Sequence, residues 1–220
     1  MPTERIVGSP LETPGLVIID CDGVLVDTEP LTLDAMRRWL SACGLDLPYD
    51  EVARRYKGTY ITLIQERVEA ELGRSIDDFI GGYRTLMYEA FEAGIDPIPG
   101  VGPALAAIEA AGLASCVASN GPHEKMDASM VAARLADAFG GLKRDGGTRI
   151  FSADDVAHPK PAPALFEHAA REMGFEKPDC VVVEDSPSGV EAARRAGMRC
   201  VGYSDITPVE TLIEAGADVV

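Results

Sequence analysis

From residue 97 to the end of the chain, short apolar runs alternate with stretches whose apolar residues recur at helical spacing. The helical stretches read VGPALAAIEAAG, HEKMDASMVAARLADAF, APALFEHAAREMG, SGVEAARRAG and PVETLIEAG. Between them lie LASCVASN, TRIFSADD, DCVVVED and MRCVGY, with a last short ADVV. Brief runs this apolar fit strands buried on both faces, and a helix between consecutive strands makes those strands parallel. The early segment LVIID supplies one more strand of the same kind. The pattern predicts an α/β fold, a Rossmann-like doubly wound parallel sheet covered by helices on both faces.

Residues 29–96 break the alternation. EPLTLDAMRRWLSACG, DEVARRY, TYITLIQERVEAELG and SIDDFIGGYRTLMYEAFEAG all have helical periodicity, and no strand-like run separates them. Pro30 suits a first helical turn, Ser75 is the expected N-cap of the last helix, and Gly44, Gly73 and Gly94 fall where helices would stop. Met36, Trp39 and Met87 fit the core-facing side of these helices. The expected organisation is a core of residues 1–28 and 97–220 with an α-helical cap domain, residues 29–96, inserted after the first strand. The return passage DPIPG is a proline-stiffened linker suited to serve as one of two hinges.

Composition narrows the partners. The chain of 220 residues carries 36 acids against 20 bases, a net charge of −16, which repels a nucleic-acid backbone or an anionic membrane surface. No stretch approaches the ~18 unbroken apolar residues a membrane span needs. The N-terminus, with Glu4, Arg5 and two early prolines, lacks the order of a signal peptide, so a cytoplasmic location is expected. Cys21, Cys43, Cys116, Cys180 and Cys200 are scattered without a CxxC pair and are expected as small buried hydrophobes in a reducing compartment. An anionic small molecule would need local positive charge. Arg54, Arg55 and Lys57 form the densest basic cluster; a solvated helix face suits the two arginines at least as well, whereas Lys57, just before Gly58, is the better candidate for a ligand.

In an open parallel sheet, ligands bind beyond the carboxyl ends of the strands. Those ends here carry Asp20 with Asp22, Ser119 with Asn120, Ser152 with Asp154, and Glu184 with Asp185. Gly23 lets the chain turn beside the first pair. Such acids can cap the next helix, but several converging carboxylates cannot all ionise cheaply without a cation among them. Oxygen donors without a His or Cys pattern favour a hard ion, Mg²⁺ before Ca²⁺. Ser119 is followed by Gly121 and Pro122 at a helix start, where a hydroxyl and open N–H groups either cap the helix or cradle an anion. Lys160, held between Pro159 and Pro161, is placed to meet a phosphate or a carboxylate. His123 and His168 are expected at the surface.

DCDGVLVDTE, ASNGP, PKPAP and VVVEDSPSG, in this order, resemble the four motifs of the haloacid dehalogenase superfamily, in the branch with a helical cap inserted after the first motif. Within it, RYKG and SNGPHEKMDASM are similar to sugar-phosphate phosphatases of the phosphogluconate-phosphatase type. Two departures are GGLKRDGGT (140–148), which reads as an insertion before the third strand, and His158, where a glycine before the motif lysine is more usual.

The resemblance implies a Mg²⁺-dependent phosphatase acting on a small sugar phosphate or sugar-acid phosphate. Asp20 would be the nucleophile that becomes an aspartyl-phosphate and Asp22 the proton donor and base, while Asp20, the Asp22 carbonyl and Asp185 would hold the metal with Glu184 outside them. Ser119, Asn120, Gly121 and Lys160 would hold the phosphoryl oxygens, and Lys160 would keep Asp20 ionised. Lys57 and Gly58 would belong to substrate recognition by the cap. Cys21, between the two acids on a strand, should point into the core. The expected state is a monomer or homodimer without nucleic-acid or membrane partners. A beta-phosphoglucomutase-like phosphomutase would use the same core, but it carries an arginine shortly after the cap glycine, where this chain has KGTYITLI. A dehalogenase has no use for Asp22. A phospho-accepting receiver domain shares the doubly wound sheet and acidic pocket, but its phosphorylated aspartate ends a middle strand, whereas CVASN offers none.

Overall fold

The computed structural model describes residues 13–142 and 147–220. The N-terminal residues read above for a signal sequence, and the middle of the 140–148 insertion, lie outside the described residues. Five strands, β1 (Leu16–Ile19), β2 (Ala114–Ser119), β3 (Ile150–Ser152), β4 (Cys180–Glu184) and β5 (Arg199–Gly202), form one sheet in the order β3-β2-β1-β4-β5. Every pairing is parallel. Leu16 lies opposite both Ala114 and Cys180, and Ile19 opposite both Val117 and Val183. The chain therefore winds outward from β1 in both directions, which places the topological switch point at the carboxyl end of β1.

Alternate residues face opposite sides of the sheet. Leu16, Ile18, Cys116, Ala118, Val182 and Cys200 are buried in one core with Leu165 and Phe166 of α7 (Ala164–Met173), Val190 of α8 (Pro187–Ala196) and Leu212 of α9 (Val209–Ala215). On the other face, Ile19 and Val183 line an apolar groove of about 250 Å³ with Val101 and Ile108 of α5 (Val101–Ala110). The stretch HEKMDASMVAARLADAF was expected as one helix, and it is two. Helix α6 (His123–Ala132) ends where Arg134 enters the left-handed region at φ 57°, and a 3₁₀ turn follows at Ala136–Phe139. The Leu135 N–H reaches back to the Met130 carbonyl at 2.9 Å, a C-terminal cap formed without the usual glycine to announce it. The final ADVV contributes a single bridge, Val219 to Val201, instead of a full strand.

The described residues up to Asp27 and from Asp96 onward form one compact unit, and Thr28–Ile95 form a second. The two passages between them run side by side: Ile98 N–H donates to the Leu25 carbonyl at 3.0 Å and Asp27 N–H to the Asp96 carbonyl at 3.2 Å. The second unit holds α1 (Glu29–Ala42), α2 (Tyr49–Tyr56), α3 (Ile61–Leu72) and α4 (Phe79–Glu92) around its own core of Leu33, Met36, Leu40, Val52, Val68 and Phe79. Met87 is buried too, and Trp39 packs edge-on to Phe79 with ring centroids 6.3 Å apart. Helix α4 starts later than expected. Its cap is Asp78, not Ser75: Asp78 sits at φ 50° and its carboxylate accepts the Gly81 N–H at 3.2 Å. No helix among the described residues is long and apolar enough to cross a membrane.

Candidate active site

Asp20 follows the last residue of β1 and continues its ladder, donating its N–H to the Val183 carbonyl at 3.0 Å. Its side chain is buried. Cys21 is wholly buried, and the chain then turns back so that Leu25 and Val26 both donate to the Cys21 carbonyl, at 2.9 and 3.1 Å. Gly23 makes this turn at φ 86°, and any Cβ there would collide with the Asp185 carboxylate. Two independent demands, a left-handed backbone and the close approach of Asp185, thus fall on one glycine.

The end of β4 and the loop before α7 supply the remaining charges. Lys160 lies between Asp20 and Glu184, donating to Asp20 Oδ1 at 2.5 Å, Glu184 Oε1 at 2.6 Å and the Ala118 carbonyl at 2.9 Å. All three ammonium protons are therefore used, and the Phe166 ring lies 4.7 Å from Nζ. A buried charge is tolerable only when paired this fully. Burial works against the Lys160 ammonium, but Asp20 and Glu184 outweigh it and hold its pKa above the usual lysine range. The backbone of Lys160 is gripped as well. Asn120 accepts the Lys160 N–H at 2.9 Å and donates to its carbonyl at 3.1 Å, so the Asn120 side chain positions the lysine, and its main-chain N–H is the group it can offer an anion.

Glu184 is similarly engaged. Its Oε2 accepts the Ser186 N–H at 3.0 Å and the Ser186 hydroxyl at 2.9 Å, and a side chain at Gly189 would collide with its carboxylate. Ser186 also caps α8 by accepting the Gly189 N–H at 3.1 Å. Carboxylate oxygens of Asp20, Glu184 and Asp185 lie within 4.8 Å of one another. Burial raises the Asp20 pKa well above the carboxylate range despite Lys160. Asp185 is pushed up to about 7, by burial first and by Glu184 next. One ammonium does not neutralise three close carboxylates. The all-oxygen donor set fits a hard divalent cation, with Asp185 and the second oxygen of Asp20 as its natural ligands and Glu184 held back by Lys160 and Ser186.

The neighbouring strand end carries an anion-sized loop. Ser119 is buried at the end of β2, and its Oγ accepts the Gly121 N–H at 3.1 Å. A Cβ on Gly121 would stand 3.5 Å from Ser119 Oγ and 3.7 Å from Asp22 Oδ2, so this loop and the second acid of DCD share one small space. From the sheet edge, Ser152 donates to the Gly121 carbonyl at 2.7 Å and Asp154 accepts the His123 N–H at 3.0 Å. Asp155 accepts the Ser152 N–H at 2.8 Å and pairs with His123 Nε2 at 2.7 Å. His123 and His168, expected at the surface, are each half-buried there, His123 in that brace and His168 edge-on to Phe151 at 5.5 Å.

Asp20, Lys160, Glu184 and Asp185 thus meet at one end of the sheet, with Asp22, Ser119, Asn120 and Gly121 beside them. Lys57 and Gly58 belong to the helical unit, where the basic cluster is already matched by acids. Lys57 pairs with Glu29 at 2.6 Å, Arg54 with Glu51 at 2.6 Å, and Arg55 with Glu71 at 3.0 Å. Two sets of contacts at the sheet end escaped sequence reading, although Ser152 and Asp154 were legible there as strand-end residues. Lys125 donates to Asp22 Oδ2 at 2.7 Å, and the Ser152–Asp155 turn braces the loop. In the sequence Lys125 is marked by its place one turn after SNGP, inside SNGPHEKMDASM.

A family model described as haloacid dehalogenase-like hydrolase matches residues 14–197. The 6-phosphogluconate phosphatase of Escherichia coli (strain K12) is 34% identical over 184 residues, covering 83% of this chain and 79% of that protein. The phosphorylated carbohydrates phosphatase of Thermotoga maritima is 30% identical, covering 91% of each chain. Among solved structures, a protein described as a putative beta-phosphoglucomutase from Thermotoga maritima superposes with a TM-score of 0.78 at 27% identity, covering 92% of this chain and 91% of that one.

Proposed function

The chain belongs to the haloacid dehalogenase-like hydrolase family, and from that premise we propose that it hydrolyses a small sugar phosphate or sugar-acid phosphate by way of an aspartyl-phosphate on Asp20. The observation that carries this reading is Lys160, buried between Asp20 and Glu184 at 2.5 and 2.6 Å with Asp185 alongside. The names of the two phosphatase relatives, one for 6-phosphogluconate and one for phosphorylated carbohydrates, support the substrate class.

Asp20 attacks phosphorus in line with the ester oxygen, and the P–O ester bond breaks with its electron pair remaining on that oxygen. Asp22 supplies the proton that lets it leave as an alcohol. In the second half, water attacks the acyl phosphate and gives its proton to Asp22. The P–O bond to Asp20 then breaks, its electron pair returning to the Asp20 carboxylate as inorganic phosphate departs. Lys160 and the bound cation together would favour the Asp20 carboxylate, and the Ser119 hydroxyl and the Asn120 main-chain N–H bind the phosphoryl oxygens, with Lys160 and the Gly121 N–H joining them by exchanging a partner each holds in the free protein. A divalent cation, Mg²⁺ in this reading, would be held by Asp20, Asp185 and the Asp22 carbonyl, and supplies positive charge against the transferring group. In this reading residues 1–28 and 97–220 are the catalytic core, and the helical unit, residues 29–96, serves as the cap domain that reads the organic part of the substrate, with Lys57 and Gly58 among the recognition residues.

A panel of phosphorylated metabolites including 6-phosphogluconate, assayed for released phosphate with and without Mg²⁺, tests the reading. Phosphate release should need Mg²⁺, and Asp20→Asn should lower kcat by about 10⁴-fold or more, as loss of a nucleophile does. Wild-type rates in Asp20→Asn would remove the nucleophile. A phosphomutase is the second reading, favoured by the likeness to the protein described as a beta-phosphoglucomutase; isomerised sugar phosphate in place of free phosphate would select it.

A further inference from the structure

Asp22 must change place in function twice, once giving a proton to the ester oxygen and once taking one from water, and a carboxylate at a loop end needs something to aim it. We propose that Lys125 is that positioning residue: the ammonium holds the Asp22 carboxyl group over the phosphate loop. The inference rests on the aspartyl-phosphate reading above and adds to it a residue outside the four motifs.

The geometry has three parts. Lys125 Nζ meets Asp22 Oδ2 at 2.7 Å, with 20% of the lysine side chain and 30% of the aspartate side chain exposed, so the pair is partly open to solvent and not sealed in. That same Oδ2 is the atom that a side chain on Gly121 would approach to 3.7 Å, so the lysine draws the carboxylate toward the loop carrying Ser119. The base of Lys125 is itself fixed. It is the third residue of α6, whose next residue, Met126, is buried to 1% exposure, and whose first residue is bound by Asp154 at 3.0 Å and by Asp155 at 2.7 Å. A loop tie on one side and a packed methionine on the other leave the ammonium few places to go. The ion pair is also oriented to act in the reaction. As Asp22 gives up its proton the carboxylate gains charge beside a cation already in place, and no group must reorganise to meet it.

The test uses the dependence on leaving group. An alkoxide must be protonated as it leaves, whereas p-nitrophenolate leaves unaided, and kcat/KM reports only the steps through departure of the leaving group. Asp22→Asn, Lys125→Met and Lys125→Arg are each compared with wild type on the alkyl phosphate hydrolysed fastest in the panel and on p-nitrophenyl phosphate. Asp22→Asn and Lys125→Met should each lose at least about tenfold more kcat/KM on the alkyl substrate than on the aryl one, within the 10²–10⁴-fold range of general acid catalysis. Lys125→Arg, which can still donate to Oδ2, should recover most of that selective loss. Equal losses on both substrates in Lys125→Met, with a raised KM, would make the lysine a substrate contact and overturn the proposal, as would no loss on either. If Lys125→Met fails to fold, Lys125→Gln takes its place in the comparison. Equal losses in Asp22→Asn itself would instead remove the acid–base role of Asp22.

Discussion

Lys160 and Lys57 are the same side chain in two different settings. Lys160, in the α/β unit, has 2% of its side chain exposed and is bound to two carboxylates and a carbonyl. Lys57, in the helical unit, has 40% exposed and pairs with one carboxylate. The contrast extends to whole units. In the α/β unit Asp20, Ser119, Ser152 and Glu184 are buried polar side chains at strand ends and the buried Lys160 reaches in among them from a loop, whereas Thr28 is the one buried polar residue of the helical unit among those described. Buried polar groups cost stability unless fully satisfied, so a cluster of them at one end of a sheet is where chemistry is to be looked for. Exposed ion pairs cost little to keep and contribute little.

The largest expected effect comes from breaking the buried lysine. Lys160→Met leaves Asp20 and Glu184 without a counter-charge, so stability should fall by about 3–5 kcal/mol in denaturant unfolding, and phosphate release should fall with it. A Lys160→Met protein as stable as wild type would contradict the ion-pair account. A smaller effect should appear with pH. Asp185, with a pKa pushed up to about 7 in the protein against an ordinary value near 4, binds its proton more tightly folded than unfolded. Its stabilising contribution is complete below about pH 4 and is lost as pH rises through about 7. The melting temperature in chelator should therefore decline over that window, and Mg²⁺ should raise it more at pH 8 than at pH 5. A Mg²⁺ effect independent of pH would remove Asp185 from the metal site. The smallest effect belongs to Lys57→Ala. Stability should change by no more than about 1 kcal/mol, as for exposed ion pairs. KM should shift between sugar phosphates while Mg²⁺ affinity stays put, and uniform losses on every substrate would deny Lys57 a recognition role.

The sequence made the strands legible because each is a short apolar run, and made the strand-end residues legible because DCDG, SNG and ED each put polar side chains immediately after such a run. What escaped it depends on contacts between distant segments or on unusual backbone. Arg134 at φ 57° and Asp78 at φ 50° stop or start helices without the glycine or serine that usually marks such places. The pairing of Lys57 with Glu29 spans 28 positions and that of Lys125 with Asp22 spans 103, distances at which no local pattern reports a partner. The ties of His123 escaped for the same reason, because its partners, Asp154 and Asp155, come from another strand end.

The central claim is that Asp20 carries the phosphoryl group. Acid quench during turnover of the best substrate, followed by mass spectrometry of the peptides, tests it most directly. The account predicts a phosphoryl adduct on the peptide containing Asp20 that grows in early and vanishes as substrate is exhausted. Phosphate release at full rate with no adduct at Asp20, or with one on another residue, would contradict it.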